Sequence, residues 1–92
     1  MVRVPGFTKR APRVGLRRPA ILIDSDGIES KVIVVDISSG GFRLEVTEAP
    51  RIGDLVKLRV ERGREFQAQV RWTTATEAGG VFLSDVDPVG WR

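Results

Sequence analysis

The chain contains neither cysteine nor histidine. Their absence excludes disulfide scaffolds, thiol nucleophiles, imidazole bases and the usual zinc ligand sets together. A cysteine-free chain fits a reducing compartment. Long apolar runs are also missing: nothing approaches the roughly 20 residues of a membrane span or the core of a signal peptide, so a cytoplasmic protein without membrane insertion is expected. No helical apolar stripe of ten or more residues occurs either, which points away from helices. With 92 residues, one small domain is the limit, and little room remains for an enzyme cleft, so no enzymatic activity is expected.

What the chain does have is segregated charge. The net charge is +3, yet residues 1–19 carry Arg3, Lys9, Arg10, Arg13, Arg17 and Arg18 with no acid, while the remainder sets nine Lys/Arg against twelve Asp/Glu, a net −3. A basic arm on an acidic body implies an anionic partner. Pro5, Gly6, Pro12, Gly15 and Pro19 interrupt the arm often enough to defeat a regular helix or a central strand. The expected organisation is a flexible basic arm at residues 1–18, a barrel at 19–86 and a short tail at 87–92.

From Ala20 onward short β-branched runs alternate with turn residues, which reads as all-β. Strands are expected near Ala20–Asp24, Lys31–Ser38, Phe42–Val46, Leu55–Val60, Glu65–Trp72 and Gly80–Ser84, with turns at Ser25-Asp26-Gly27 and Arg62-Gly63-Arg64. Phe42, Leu44 and Val46 share one strand face and Arg43 and Glu45 the other. Phe66, Ala68, Val70 and Trp72 likewise share a face, so Phe42, Phe66 and Trp72 are expected in the core, and Trp91 lies in the tail. Arg59, Arg62, Arg64 and Arg71 lie among acids and read as a solvated surface. Six short strands with tight turns suggest a small antiparallel β-barrel, which removes the exposed edges of an open sheet.

The segment with most chemical content is Val35-Asp36-Ile37-Ser38-Ser39-Gly40-Gly41-Phe42. Strict alternation places Ile33, Val35 and Ile37 on a core face and Asp36 and Ser38 together on the outer one. Gly40 and Gly41 can take positive φ and admit another molecule close to the backbone. A carboxylate that accepts from a guanine edge, beside arginines that bind phosphate, makes a sensible nucleotide site. Asp, Ser and Gly-Gly at a strand end are also ordinary turn formers.

Taken together, Asp36-x-Ser38-x-x-Gly41 resembles the DxSxxG motif of the PilZ family. Gly53-Asp54-x-Val56-x-Leu58, Ala68-x-Val70-x-Trp72 and Gly79-Gly80-Val81-Phe82 resemble that family's later strands in order, so the similarity spans about residues 8–84. The resemblance implies a six-stranded antiparallel barrel that binds cyclic di-GMP, with an RxxxR arm contacting guanines and phosphates and with the DxSxxG roles falling on Asp36, Ser38 and Gly41. Two arm registers fit: Arg13-Val14-Gly15-Leu16-Arg17 is a literal RxxxR. Lys9-Arg10-Ala11-Pro12-Arg13-Val14 matches the common family wording, with Lys9 in the first arginine position and Arg10 beside it. A lysine keeps the charge and loses the planar fork, so that register implies weaker binding. The candidate ligand residues are therefore Lys9, Arg10, Arg13, Arg17, Asp36, Ser38, Gly40 and Gly41. The implied output is an altered surface read by an effector protein. Two other readings stand beside it: a PilZ barrel that has lost the ligand and serves as a protein-interaction adapter, and a barrel that binds nucleic acid. The last is disfavoured because exposed aromatic pairs are not evident.

Overall fold

A computed structural model describes residues 14–60 and 63–83. They form six strands: β1 (Val14–Ile23), β2 (Glu29–Ile37), β3 (Gly41–Glu45), β4 (Leu55–Arg59), β5 (Glu65–Thr73) and β6 (Glu77–Phe82). All neighbours pair antiparallel in the order β1-β2-β3-β6-β5-β4, and β1 closes on β4 to make a barrel. Alternating inward residues fill it, with Ile37, Leu44, Leu58, Val34 and Val70 the largest fully buried side chains. The expected all-β, six-stranded antiparallel architecture is therefore found. Asp24 makes the β1–β2 turn by accepting from the Asp26 and Ile28 amides at 2.9 Å each, with Gly27 at φ 84°.

The first strand begins at Val14 and not near Ala20, so residues 14–18, expected in a flexible arm, are strand. Proline and glycine are tolerated there because this half of β1 lies on an edge. Pairing with β2 runs the whole length of β1, whereas pairing with β4 covers only Ile21–Ile23. A missing amide at Pro19 costs no ladder bond on the open side. The last strand also starts earlier than expected, at Glu77. The Thr74 hydroxyl accepts from the amides of Thr76 (3.3 Å) and Glu77 (3.0 Å), and the Thr74 amide donates to the Glu77 carbonyl at 2.8 Å, so the chain reverses tightly after Thr73. The Gly79-Gly80 pair then lies within the sheet.

Register shifts explain two further departures from strict alternation. Val34 pairs with Leu44 and Asp36 with Arg43, leaving Val35 as an extra residue in β2. The bulge resets the phase: Val32, Val34 and Ile37 point into the core, and Ile33, expected inside, is only half-buried. In the same way Val70 pairs with Gly80 and Trp72 with Gly79, so Arg71 is extra in β5 and Trp72 leaves the core face. Trp72 is 39% exposed, while Phe42 is buried and Phe66 packs partly buried against the core as expected. Arg59 also differs from a purely solvated residue. It bridges three strands, with Nη2 3.1 Å from Glu29 and Nε 3.2 Å from Glu65.

Glycine is required where backbones crowd at the β3–β6–β5 seam. A Cβ on Gly41 would lie 2.5 Å from the Gly80 carbonyl oxygen, and a Cβ on Gly80 would collide with the Gln69 carbonyl oxygen. Gly40, by contrast, faces open space. Gly80→Ala should therefore lower the urea midpoint by the equivalent of about 1–3 kcal/mol or more. Gly40→Ala should stay within about 0.5 kcal/mol of the parent in the same denaturation measurement.

Candidate functional site

The candidate site lies on the outer surface of β1, β2, β3 and β6. The β2 bulge turns Asp36 outward, directly opposite Gly15 in β1 and Arg43 in β3. Arg43 and Glu45 point outward because Phe42 and Leu44, alternating with them, are core residues. Across the next ladder Arg43 faces Gly79, and Glu45 faces Glu77. One sheet surface thus carries acids and bases at neighbouring positions.

Arg43 lies between two of the acids. Its Nε is 3.1 Å from Asp36 Oδ2, and its Nη1 is 3.8 Å from Glu77 Oε2. The closer contact has ion-pair distance without an aligned hydrogen bond from Nε. The Asp36 side chain is 13% exposed, so Arg43 supplies charge compensation to a largely desolvated carboxylate. Beside this pair, the indole of Trp72 lies against Gly79 at a point where any Cβ would collide with the ring. Gly79 thus has Arg43 opposite it on one side and the half-exposed Trp72 on the other, two strands further from Asp36 than Arg43 is.

Arg17 reaches across β2 to β3. Its Nη1 donates to Glu45 Oε2 and its Nη2 to Glu45 Oε1, both at 2.8 Å, a bidentate pair between exposed side chains. The Arg17 hydrogen bonds hold the Glu45 carboxyl below its ordinary value of 4.5; burial opposes this, and the charges of Arg17 and Arg43 add to it. The guanidinium of Arg17 is correspondingly pushed up by the same bond.

Ser38 closes the β2–β3 turn. Its amide donates to the Gly41 carbonyl at 2.8 Å, and the Gly41 amide donates to the Ser38 hydroxyl at 3.2 Å. Ser38 is buried, so it does not stand out beside Asp36 as strict alternation implies; the hydroxyl is used within the turn. Positive φ, expected at Gly40 and Gly41, occurs among the described residues at Gly27, Gly53 and Gly63. Gly41 is needed for its close approach to Gly80, and the open space around Gly40 leaves its backbone approachable. Lys9, Arg10 and Arg13 lie outside the described residues, as does Trp91.

The structure therefore brings Arg17, Asp36 and the Ser38–Gly41 turn to neighbouring strands and adds Arg43, Glu45, Glu77 and Trp72, which sequence reasoning did not assign to a site. The alternation of β3 already put Arg43 and Glu45 outward. Trp72 was hidden by a bulge that periodicity does not reveal. A cleft of about 340 Å³ lined by Ile23, Leu55, Val56 and Leu83 includes none of these groups, whereas Glu45 borders a depression of about 260 Å³ with Lys31, Val32 and Thr47. Among the described residues no cluster of metal-ligating side chains occurs, and no helix is long and apolar enough to cross a membrane.

A closed antiparallel six-stranded barrel with an aspartate on its outer face just before a Ser-x-x-Gly turn defines a small all-β barrel domain. The match to the PilZ domain model extends over residues 8–89, nearly the whole chain, and the protein belongs to the PilZ domain family. PilZ domains are non-enzymatic receptor domains, and the family typically binds cyclic di-GMP. Comparison with curated proteins gives no match.

The Arg17–Glu45 pair has a definite pH signature. Because the Glu45 carboxyl is held low in the folded state, its contribution to stability is fully present above its unfolded value. The contribution is lost as the pH falls through the lowered folded value. Arg17→Ala should let the Glu45 pKa rise toward 4.5. A carbon-detected carboxyl titration by nuclear magnetic resonance reads this directly; an unmoved Glu45 titration would mean that the pair does not form in solution.

Proposed function

We propose that this PilZ domain is a cyclic di-GMP receptor that converts ligand binding into a changed surface for an effector protein, working in the cytoplasm. The observation that carries the reading is the placement of Asp36 on the outer sheet surface next to the Arg17 strand and the approachable Gly40 backbone. In this reading Asp36 accepts hydrogen bonds from a guanine edge. Arg43 holds that carboxylate in place, and a carboxylate offers about four acceptor positions. Phosphates of the dianion are met by Arg10, Arg13 and Arg17, with Lys9 adding charge without a bidentate fork. Gly40 lets the ligand approach the backbone, while Ser38 and Gly41 fix the turn that presents it. Residues 1–18 act as the grip and 19–86 as the platform, although the platform's first strand begins within the grip. The exposed indole of Trp72 offers a face for a base to stack on.

A second reading is favoured by one specific observation. Arg17 is already paired with Glu45, and Asp36 with Arg43, so the charged groups of the surface satisfy one another without a ligand. A degenerate PilZ domain working only as a protein-interaction adapter would have such a surface.

Isothermal titration separates the two. The receptor reading expects micromolar or tighter binding of cyclic di-GMP, lost in Asp36→Ala and in Arg13→Ala while both variants keep the parent melting profile. No heat at high ligand concentration, together with a partner whose binding ignores the dinucleotide, would establish the adapter instead.

A further inference from the structure

The Arg17–Glu45 pair poses a problem for any anion that approaches this surface. Both terminal nitrogens of Arg17 are donating to one carboxylate at 2.8 Å, in the fork geometry that a phosphate would also take. A phosphate that recruits Arg17 bidentately must displace Glu45, and the pair is therefore exchanged and not simply added to. We propose that Glu45 is a built-in competitor for the ligand's phosphate: it holds Arg17 in the unliganded barrel and thereby sets the affinity. The inference rests on the reading of the surface as a phosphate-binding one and adds to it a specificity-determining residue outside the arm and the turn.

Three features of the surface make Glu45 suited to the role. It lies on β3, across β2 from the strand that carries Arg17, so the arginine must lie over β2 to reach it. That crossing brings the guanidinium toward the strand that carries Asp36, where a ligand would meet both. Both side chains are largely exposed, 64% for Arg17 and 42% for Glu45, so the pair is screened by water and can open without rearranging the core. Glu45 also keeps a second cation nearby once Arg17 leaves. The charge of Arg43 already acts on its carboxyl, which offsets the repulsion from Glu77 directly opposite on β6. The released carboxylate is therefore not stranded.

The exchange has a thermodynamic consequence opposite to that of ordinary site mutations. Removing the Glu45 carboxylate should strengthen binding, and most of that gain should vanish when Arg17 is absent. Titration calorimetry with cyclic di-GMP on the full chain, the Glu45→Gln and Arg17→Ala variants and the double variant forms a closed cycle. Glu45→Gln is expected to bind roughly two- to fivefold more tightly, the scale of losing one exposed ion-pair competitor. In the Arg17→Ala background the same substitution should give no more than the small gain of removing one surface charge. Glu77→Gln removes an equal charge from the same surface without touching Arg17, and it should produce a smaller gain.

Equal or weaker binding by Glu45→Gln, or a gain that persists undiminished without Arg17, would overturn the competitor role. In those cases the parent chain still binds, and the receptor reading stands. Absence of heat from both the parent and Glu45→Gln would overturn the receptor reading and the competitor with it.

Discussion

Six short strands can enclose a core of valines, leucines and isoleucines only if the sheet closes on itself, and closure is tightest along the β3–β6–β5 seam. Gly41, Gly79 and Gly80 lie there in consecutive ladders. Side chains at these positions would strike the Gly80 carbonyl, the Trp72 indole and the Gln69 carbonyl respectively. Phe42 and Phe82 meet on this seam with ring centroids 5.1 Å apart, and Phe66 joins Phe82 at 6.1 Å. The aromatic contacts thus fill the space that the glycines leave. The outer surface inherits its geometry from the same constraint: Trp72 lies where Gly79 has no side chain, and the Ser38–Gly41 turn leads directly into the crowded ladder.

Much of the architecture was legible because a barrel of this size is written in local signals. The Ser25-Asp26-Gly27 turn follows from a side-chain acceptor and a residue that tolerates positive φ. β3 follows from the alternation of Phe42 and Leu44 with Arg43 and Glu45. What was not legible came from places where the ladder skips a residue. A bulge changes which side chains face inward without changing composition, and Val35 and Arg71 look like any other strand residue in the sequence. Strict alternation consequently misplaced Ile33 and Trp72. Glycines misled for a related reason: a Gly-Gly pair signals a turn locally, yet at Gly79-Gly80 it records how closely two neighbouring strands approach.

At the candidate site, Asp36 shares the outer face with Arg43, as expected, but it is largely buried and reaches that face by a different phase. Without the bulge the alternation that buries Val32 and Val34 would carry Asp36 inward, where an unpaired carboxylate is strongly disfavoured. The extra residue Val35 restores the outward position and, at the same step, places Asp36 against Arg43. Ser38 was read as a partner of Asp36 because it is two residues away. Its hydroxyl is instead satisfied by the Gly41 amide, which is the ordinary use of serine at a turn. Partners contributed by other strands, such as Arg43 and Glu45, are a product of register, and no spacing within a single strand contains that information.

Under the proposed function, the charge pattern explains why a surface for an anion would carry so many acids. Arginines exposed on a sheet without compensation would repel one another and would attract any polyanion regardless of shape. Here Arg17 is held by Glu45, and Arg43 by Asp36 and Glu77, at positions fixed by the ladder. On the proposed receptor reading, an incoming ligand would be selected by its ability to replace Glu45 on Arg17 with equal geometry, which favours a planar or forked acceptor over diffuse negative charge. The net −3 of the body and the +6 of the arm are two parts of the same arrangement. In the proposed receptor the arm would supply attraction at a distance, and Glu45 would impose the exchange that makes the attraction selective.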